Sequence, residues 1–244
     1  MNTQRLAWLD ALRGAAIVWM MGFHLSFDLH QFRLIPAQDF YDDPFWTLQR
    51  TAIVSLFLLC AGAGQAVALR QGQVPGRFWR RWLQVAACAV LVSVGSAWMF
   101  PRSWISFGVL HGIALMLLVL RATLRPRWLS APWLPALLLA AGALAVLAPL
   151  VIQHPFFDNR WTNWVGLVTR KPATEDYVPL LPWLGVMLWG VAAMLWWLRR
   201  PQAPVQRPLS GWARPLVWLG RRPLTVYMLH QPVFIGLLTL LQRA

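Results

Sequence analysis

Charge is scarce in this chain. Only 12% of its 244 residues are Asp, Glu, Lys or Arg, against about 25% in soluble domains. Acids are scarcest of all, with 8 Asp and Glu against 22 Lys and Arg. A soluble surface cannot be drawn from that stock. Cysteine is nearly absent too. Cys60 and Cys88 both lie in apolar runs, with no metal-ligand spacing and no basis for a disulfide framework, so they read as packing residues and no metal is expected. There is no Gly-x-Ser-x-Gly elbow, no P-loop, no Gly-x-Gly-x-x-Gly after a strand and no zinc spacing. Hydrolase, ATPase, dehydrogenase and zinc-enzyme readings lose their usual support. No internal repeat or low-complexity tract stands out. A cleavable leader is not expected either: the apolar run after Arg5 contains Asp10 and Arg13 and lacks a small-x-small exit site, so it reads as a retained first span.

What the chain has is apolar length. Hydrophobic residues make up 58% of it, and the mean hydropathy is +0.51. The runs predict an all-α, polytopic transmembrane bundle of about seven spans, with residues 1–244 as a single domain. The spans are expected near Trp8–Leu29, Trp46–Leu69, Trp82–Phe100, Ile105–Leu120, Leu134–Ile152, Pro179–Leu198 and Pro223–Leu241. Pro208–Leu219 reads as a helix lying on the membrane surface. The small residues of Cys60-Ala61-Gly62-Ala63-Gly64 favour close approach of a neighbouring helix. The net charge of +14 comes mostly from arginines in short loops, a membrane pattern and not a nucleic-acid surface. Arg5, Arg70–Arg81, Arg121–Arg127 and Arg199–Arg222, with Arg207 among them, fall on one side. Arg33, Arg102, Arg160, Arg170, Lys171 and Arg243 fall on the other. The positive-inside rule makes the first side cytoplasmic, with the N-terminus inside, as in a bacterial inner membrane.

The first span carries more polar groups than a membrane tolerates without a use: Asp10, Arg13, His24 and Asp28. Eleven residues are nearly a whole number of helical turns, so Arg13 and His24 share a face about 16 Å apart. Asp10 lies a turn before Arg13, and Asp28 a turn after His24. A neutral imidazole can take and return a proton near neutrality, or act as a nucleophile. Asp28 can orient His24 or sit at the interface. Arg13 can clamp Asp10 or hold a phosphate with its fork of donors.

Asp10-x-x-Arg13-Gly14, with a histidine eleven residues after the arginine, resembles the first span of the membrane acyltransferase-3 proteins. Ser106-Phe107-Gly108-Val109-Leu110-His111, Asp176-Tyr177-Val178-Pro179-Leu180-Leu181-Pro182-Trp183 and Leu219-Gly220-Arg221-Arg222-Pro223-Leu224-Thr225-Val226-Tyr227-Met228-Leu229-His230-Gln231-Pro232 bring it nearer one branch. They resemble the small bacterial relatives of heparan-alpha-glucosaminide N-acetyltransferase. The resemblance implies a membrane acyltransferase that moves an acetyl group from acetyl-CoA, on the cytoplasmic side, to a hydroxyl or amine of a sugar-like acceptor. It also implies His24, Asp28, His111 and His230 as catalytic candidates, Arg13 and Asp10 toward the donor, and Asp176 and Tyr177 toward the acceptor. In the heparan enzymes the acetyl-accepting histidine lies beyond the first span, which makes His30 a further candidate. About seven spans are fewer than the resemblance leads one to expect, so some binding elements are absent or supplied by an oligomer.

Rise along the spans puts His24 and His111 at similar depth in the outer half, with His230 nearer the middle and below them. One shared polar cavity is the expectation, with Asp176 at its rim. The alternative function is a non-enzymatic membrane protein, a transporter or envelope-assembly factor, since intramembrane His, Arg and Asp also serve proton relays.

Overall fold

The computed structural model describes residues 6–200 and 211–243. Eight α-helices account for most of them: α1 (Ala7–Gln31), α2 (Pro44–Arg70), α3 (Pro75–Met99), α4 (Val109–Thr123), α5 (Leu134–Val151), α6 (Leu180–Trp197), α7 (Arg214–Gly220) and α8 (Pro223–Arg243). The expected all-α membrane class is observed. Helices α2, α3, α5, α6 and α8 are long and apolar enough to cross a membrane. Of the other expected spans, α1 has the length, 25 residues, but its charged groups dilute its apolarity. Helix α4 has 15 residues, about 22 Å against a hydrocarbon core of about 30 Å. Arg5, Arg207 and Pro208–Ser210, which entered the sequence reading, lie outside the described residues.

Two helix starts differ from expectation. Helix α3 begins at Pro75, because proline at the first position suits a helix start and the basic residues that follow continue the helix. Helix α4 begins only at Val109, because Phe107 forms a β-bridge to Tyr177 instead of joining the helix.

The chain forms two compact units. One comprises Met1–Phe57 and Pro204–Ala244, the other Leu58–Ala203. In the first, α1 packs along α7 and α8. The contact with α7 is made through two glycines. A Cβ on Gly14 would fall on the backbone of Leu216, and one on Gly220 would fall on the backbone of Asp10 and Gly14. Both glycines belong to stretches singled out in the sequence, and their role is to let two backbones touch. Gly14→Ala is therefore expected to destabilise the folded protein by about 1–3 kcal/mol, as overpacking does. Thermal melting in detergent checks it; an unchanged melting temperature would show that α7 is free to move away from α1.

The segment between α1 and α2 folds back on an aromatic cluster. Phe40 is 3% exposed and packs against Phe23, Phe27 and Trp46. Arg50 donates to the carbonyls of Phe40 and Tyr41 at 3.5 and 3.4 Å.

In the second unit, α5 lies along α6, and α4 contacts both α3 and α6. The close approach expected at Gly62 is to α6: a Cβ there would meet the carbonyl of Met187. The segment from 152 to 179 contains short 3-10 turns at Pro155–Asp158 and Asn163–Val165. It is tied to the residues before α4. Glu175 N–H donates to the Ser103 carbonyl at 2.9 Å, and Val178 N–H to that of Phe107 at 3.2 Å.

Candidate active site

The first unit brings two of the candidate histidines together. The rings of His24 and His230 have centroids 5.0 Å apart, tilted by 59°. This differs from the expectation that His230 lies well below His24. The reason is α7. It packs on the first turns of α1 and delivers Gly220 to the level of Asp10 and Gly14, so α8 starts beside the body of α1 and not beside its end. From Gly14 to His24, and from Gly220 to His230, the chain climbs ten residues, about 15 Å each.

His230 is 6% exposed. Its Nδ1 lies 2.7 Å from the Tyr227 carbonyl and 3.3 Å from that of Val226. A carbonyl only accepts, so Nδ1 carries the proton and Nε2 of the neutral ring keeps its lone pair. That Nε2 is buried and has no partner. Two residues on, Pro232 removes the N–H that would have bonded the Met228 carbonyl within α8. His24 is half-buried and touches Phe23 edge-on, with centroids 5.8 Å apart.

Asp28 does not bond His24. It is 4% exposed, and its Oδ1 accepts from Gln231 Nε2 at 3.3 Å. Asp28 Oδ2 and Gln231 Oε1 are both buried without a partner. Three acceptor atoms, on His230, Asp28 and Gln231, are thus left open, the last two on side chains that bond each other. Buried polar groups are nearly always paired, and leaving one open costs about 1–3 kcal/mol. Gln231, to which the sequence reading gave no role, joins the candidate site through Asp28. Its signal was its place beside His230 in a stretch already picked out.

At the other end of α1, Arg13 Nη1 donates to Asp10 Oδ1 at 2.9 Å and to the Gly220 carbonyl at 3.2 Å. Arg221 Nε lies 3.5 Å from Asp10 Oδ2. One carboxylate, 7% exposed, sits between two guanidinium groups, so the cluster keeps a net positive charge. In this geometry Arg13 clamps Asp10.

His30 is engaged elsewhere, accepting from Gln38 N–H through Nδ1 at 3.2 Å.

The second unit holds the remaining candidates. His111 Nδ1 accepts from Gly108 N–H at 3.3 Å, and its Nε2 lies 3.1 Å from Ser93 Oγ. Ser93 itself donates to the Ile105 carbonyl at 2.6 Å, so its oxygen is the acceptor for His111. Both nitrogens of His111 are therefore used within its own unit. Asp176 Oδ2 accepts from Val109 N–H at 2.7 Å, at the start of α4. Tyr177 Oη donates to the Asn163 carbonyl at 2.7 Å. Burial pushes the Tyr177 phenol up from its ordinary value, and the nearby charge of Asp158 adds to it.

Burial also pushes the Asp176 carboxyl up to about 6, while the backbone N–H groups of Val109 and Tyr177 pull the other way. The folded state thus holds this proton more tightly than the unfolded chain. The resulting stability is full below the ordinary carboxylate range and is lost as pH rises through about 6. Asp176→Asn is expected to flatten that loss between about pH 4 and about pH 6.5 in thermal melts; equal slopes for the two proteins would contradict it.

Among the described residues no group of His, Cys, Asp and Glu could hold a metal ion.

An all-α integral membrane protein with two imidazoles paired between its helices, and a buried carboxylate on the same helix as one of them, belongs among intramembrane enzymes and proton carriers. The family decides between them. The model for the heparan-alpha-glucosaminide N-acetyltransferase catalytic domain matches residues 5–232, and the chain belongs to that family. Membership carries acetyltransferase activity in general terms, with acetyl-CoA the family's general donor. Comparison with curated proteins and with solved structures returned no match.

Proposed function

We propose that this protein transfers an acetyl group from acetyl-CoA to a hydroxyl or amine of a sugar-like acceptor, using the His24–His230 pair as base or acyl carrier. The observation that carries this reading is the unpartnered Nε2 of His230, whose ring lies 5.0 Å from that of His24, in the unit that also holds the open acceptor atoms of Asp28 and Gln231. Acyl transfer from a thioester needs a lone pair positioned to take a proton. In the base form of the mechanism, Nε2 accepts the proton of the acceptor's hydroxyl or amine as its oxygen or nitrogen attacks the acetyl carbonyl. The carbon–sulfur bond then breaks, and the CoA thiolate takes up the proton. In the carrier form, a histidine nitrogen holds the acetyl group between two such displacements. Asp28 and Gln231 present acceptor atoms that suit the N–H or O–H groups of a sugar. Arg13 and Arg221, around Asp10, give the end of α1 a positive cluster suited to the phosphates of the donor.

Asp176, Tyr177 and His111 enter this reading as positioning residues. They hold the segment from 152 to 179 and the start of α4, and their hydrogen bonds are made within their own unit.

Acetyl-CoA binding tests the donor assignment. Acetyl-CoA is expected to raise the melting temperature of the purified protein, as a ligand of the folded state does. No shift at millimolar acetyl-CoA would count against it. Sidedness is tested separately. Reporter fusions after Arg81 and after Arg200 are expected to read cytoplasmic, and one after Lys171 external; an external signal from the Arg81 fusion would reverse the orientation.

A further inference from the structure

The second unit carries a cationic site that the acyl-transfer reading does not use. Arg70, the last residue of α2, and Arg199, two residues past the end of α6, both reach the loop before α5. Arg70 Nη1 donates to the Leu129 carbonyl at 3.3 Å and to Ser130 Oγ at 3.2 Å. Arg199 Nη1 donates to the Pro132 carbonyl at 3.1 Å, and its Nη2 to the Ala131 carbonyl. The two guanidinium groups, with Ser130, Pro132 and Leu198, line an open cavity of about 350 Å³. Every acceptor they use is neutral, and among the described residues neither pairs with a carboxylate. Two fixed positive charges share a cavity with no negative charge in its wall.

We propose that this cavity binds the phosphate of an anionic phospholipid headgroup. Guanidinium groups suit phosphate by their planar fork of donors, and each retains N–H groups not used by the loop. Ser130 Oγ adds a hydroxyl of the kind that phosphate oxygens accept from. The surroundings favour a lipid over a soluble anion. Trp133 directly follows Pro132, Leu137 lies one turn further along α5, and Trp196 sits on the last turn of α6; all three are exposed. Trp196 is itself covered by Arg200, whose guanidinium carbon lies 3.9 Å from the ring centroid. Exposed tryptophans at the ends of apolar helices settle at headgroup depth, which puts the arginine pair where lipid phosphates lie and gives the acyl chains an apolar wall.

The test uses full-length protein purified in mild detergent and stripped of lipid. Melting temperature is measured with added phosphatidylglycerol, with phosphatidylcholine and with inorganic phosphate, and native mass spectrometry counts retained phosphatidylglycerol. Phosphatidylglycerol is expected to stabilise the wild type and stay bound; the other two are not. Its apparent affinity is expected to fall roughly fivefold for each arginine removed in Arg70→Gln and Arg199→Gln. Arg121→Gln, at the end of α4, is expected to keep the full response. Because both arginines also hold the loop at 129–132, each variant is judged by its own shift on adding lipid, not by its starting melting temperature. If either glutamine variant does not fold, Arg199→Lys serves: it keeps the charge, loses the fork, and is expected to bind more weakly than wild type. An undiminished phosphatidylglycerol shift in the variants would overturn the proposal. So would an equal wild-type shift with phosphatidylcholine or with inorganic phosphate.

Discussion

His24→Ala is expected to lower acetyl transfer by about 10² to 10⁴, the usual worth of a positioned acid or base, in a protein that still folds. The fold should survive because the ring is half-buried and meets its surroundings through the rings of Phe23 and His230. His230→Ala is expected to cost a similar factor. It removes the imidazole of the pair whose tautomer is fixed, since the Tyr227 carbonyl holds the proton on Nδ1 and leaves Nε2 as a base. The informative experiment is the double variant. Two rings 5.0 Å apart that act on one proton or one acetyl group form a unit, and residues of a unit lose activity non-additively. The double variant should therefore be little worse than the poorer single one. Losses that multiply would mean that the rings act in separate steps. Near-normal turnover in folded His24→Ala would remove it from the mechanism.

Arg13→Ala is expected to have two effects that a second substitution separates. The first is on stability. Asp10 is 7% exposed and would keep only Arg221, at 3.5 Å. A buried carboxylate deprived of its 2.9 Å partner costs about 1–3 kcal/mol or more. The Gly220 carbonyl also loses its donor, which loosens α7 on α1. The second effect is on the donor. If the positive cluster receives the phosphates of acetyl-CoA, KM for the donor should rise about tenfold, while KM for the acceptor changes little. The Asp10→Ala, Arg13→Ala double variant removes the stranded charge. It should recover much of the stability and none of the donor affinity. Full recovery of donor KM in the double variant would make Arg13 a clamp alone.

The polar stripe of the first span was legible because polar groups are so costly in a membrane helix. Asp10, Arg13, His24 and Asp28 announced themselves by type and spacing, and the structure puts them all on α1, with Asp10 and Asp28 buried. Partnership was not legible. The depth argument treated each helix as starting at its own membrane edge. Helix α7 breaks that assumption by occupying the first turns of α1, and it raises His230 to His24. For the same reason the sequence left Asp28 open between orienting His24 and sitting at the interface, and its bonded partner is Gln231 across the helix contact. The glycines of Asp10-x-x-Arg13-Gly14 and Leu219-Gly220-Arg221-Arg222 read as motif residues. Only the contact between Gly14, Gly220 and the opposing backbones gives them a physical task. Helix class, by contrast, needed no partner information, because apolar run length alone sets it.

The central claim is that this chain moves acetyl groups at the His24–His230 pair. The most direct measurement is CoA release by purified wild-type protein reconstituted in lipid vesicles, with acetyl-CoA and a panel of amino sugars and polysaccharides, and with mass analysis of the acceptors. The account predicts acceptor-dependent CoA release matched by a gain of one acetyl group on at least one sugar, and loss of both in His24→Ala. Folded wild-type protein that releases no CoA and acetylates nothing in the panel, or equal acetylation by wild type and His24→Ala, would contradict it.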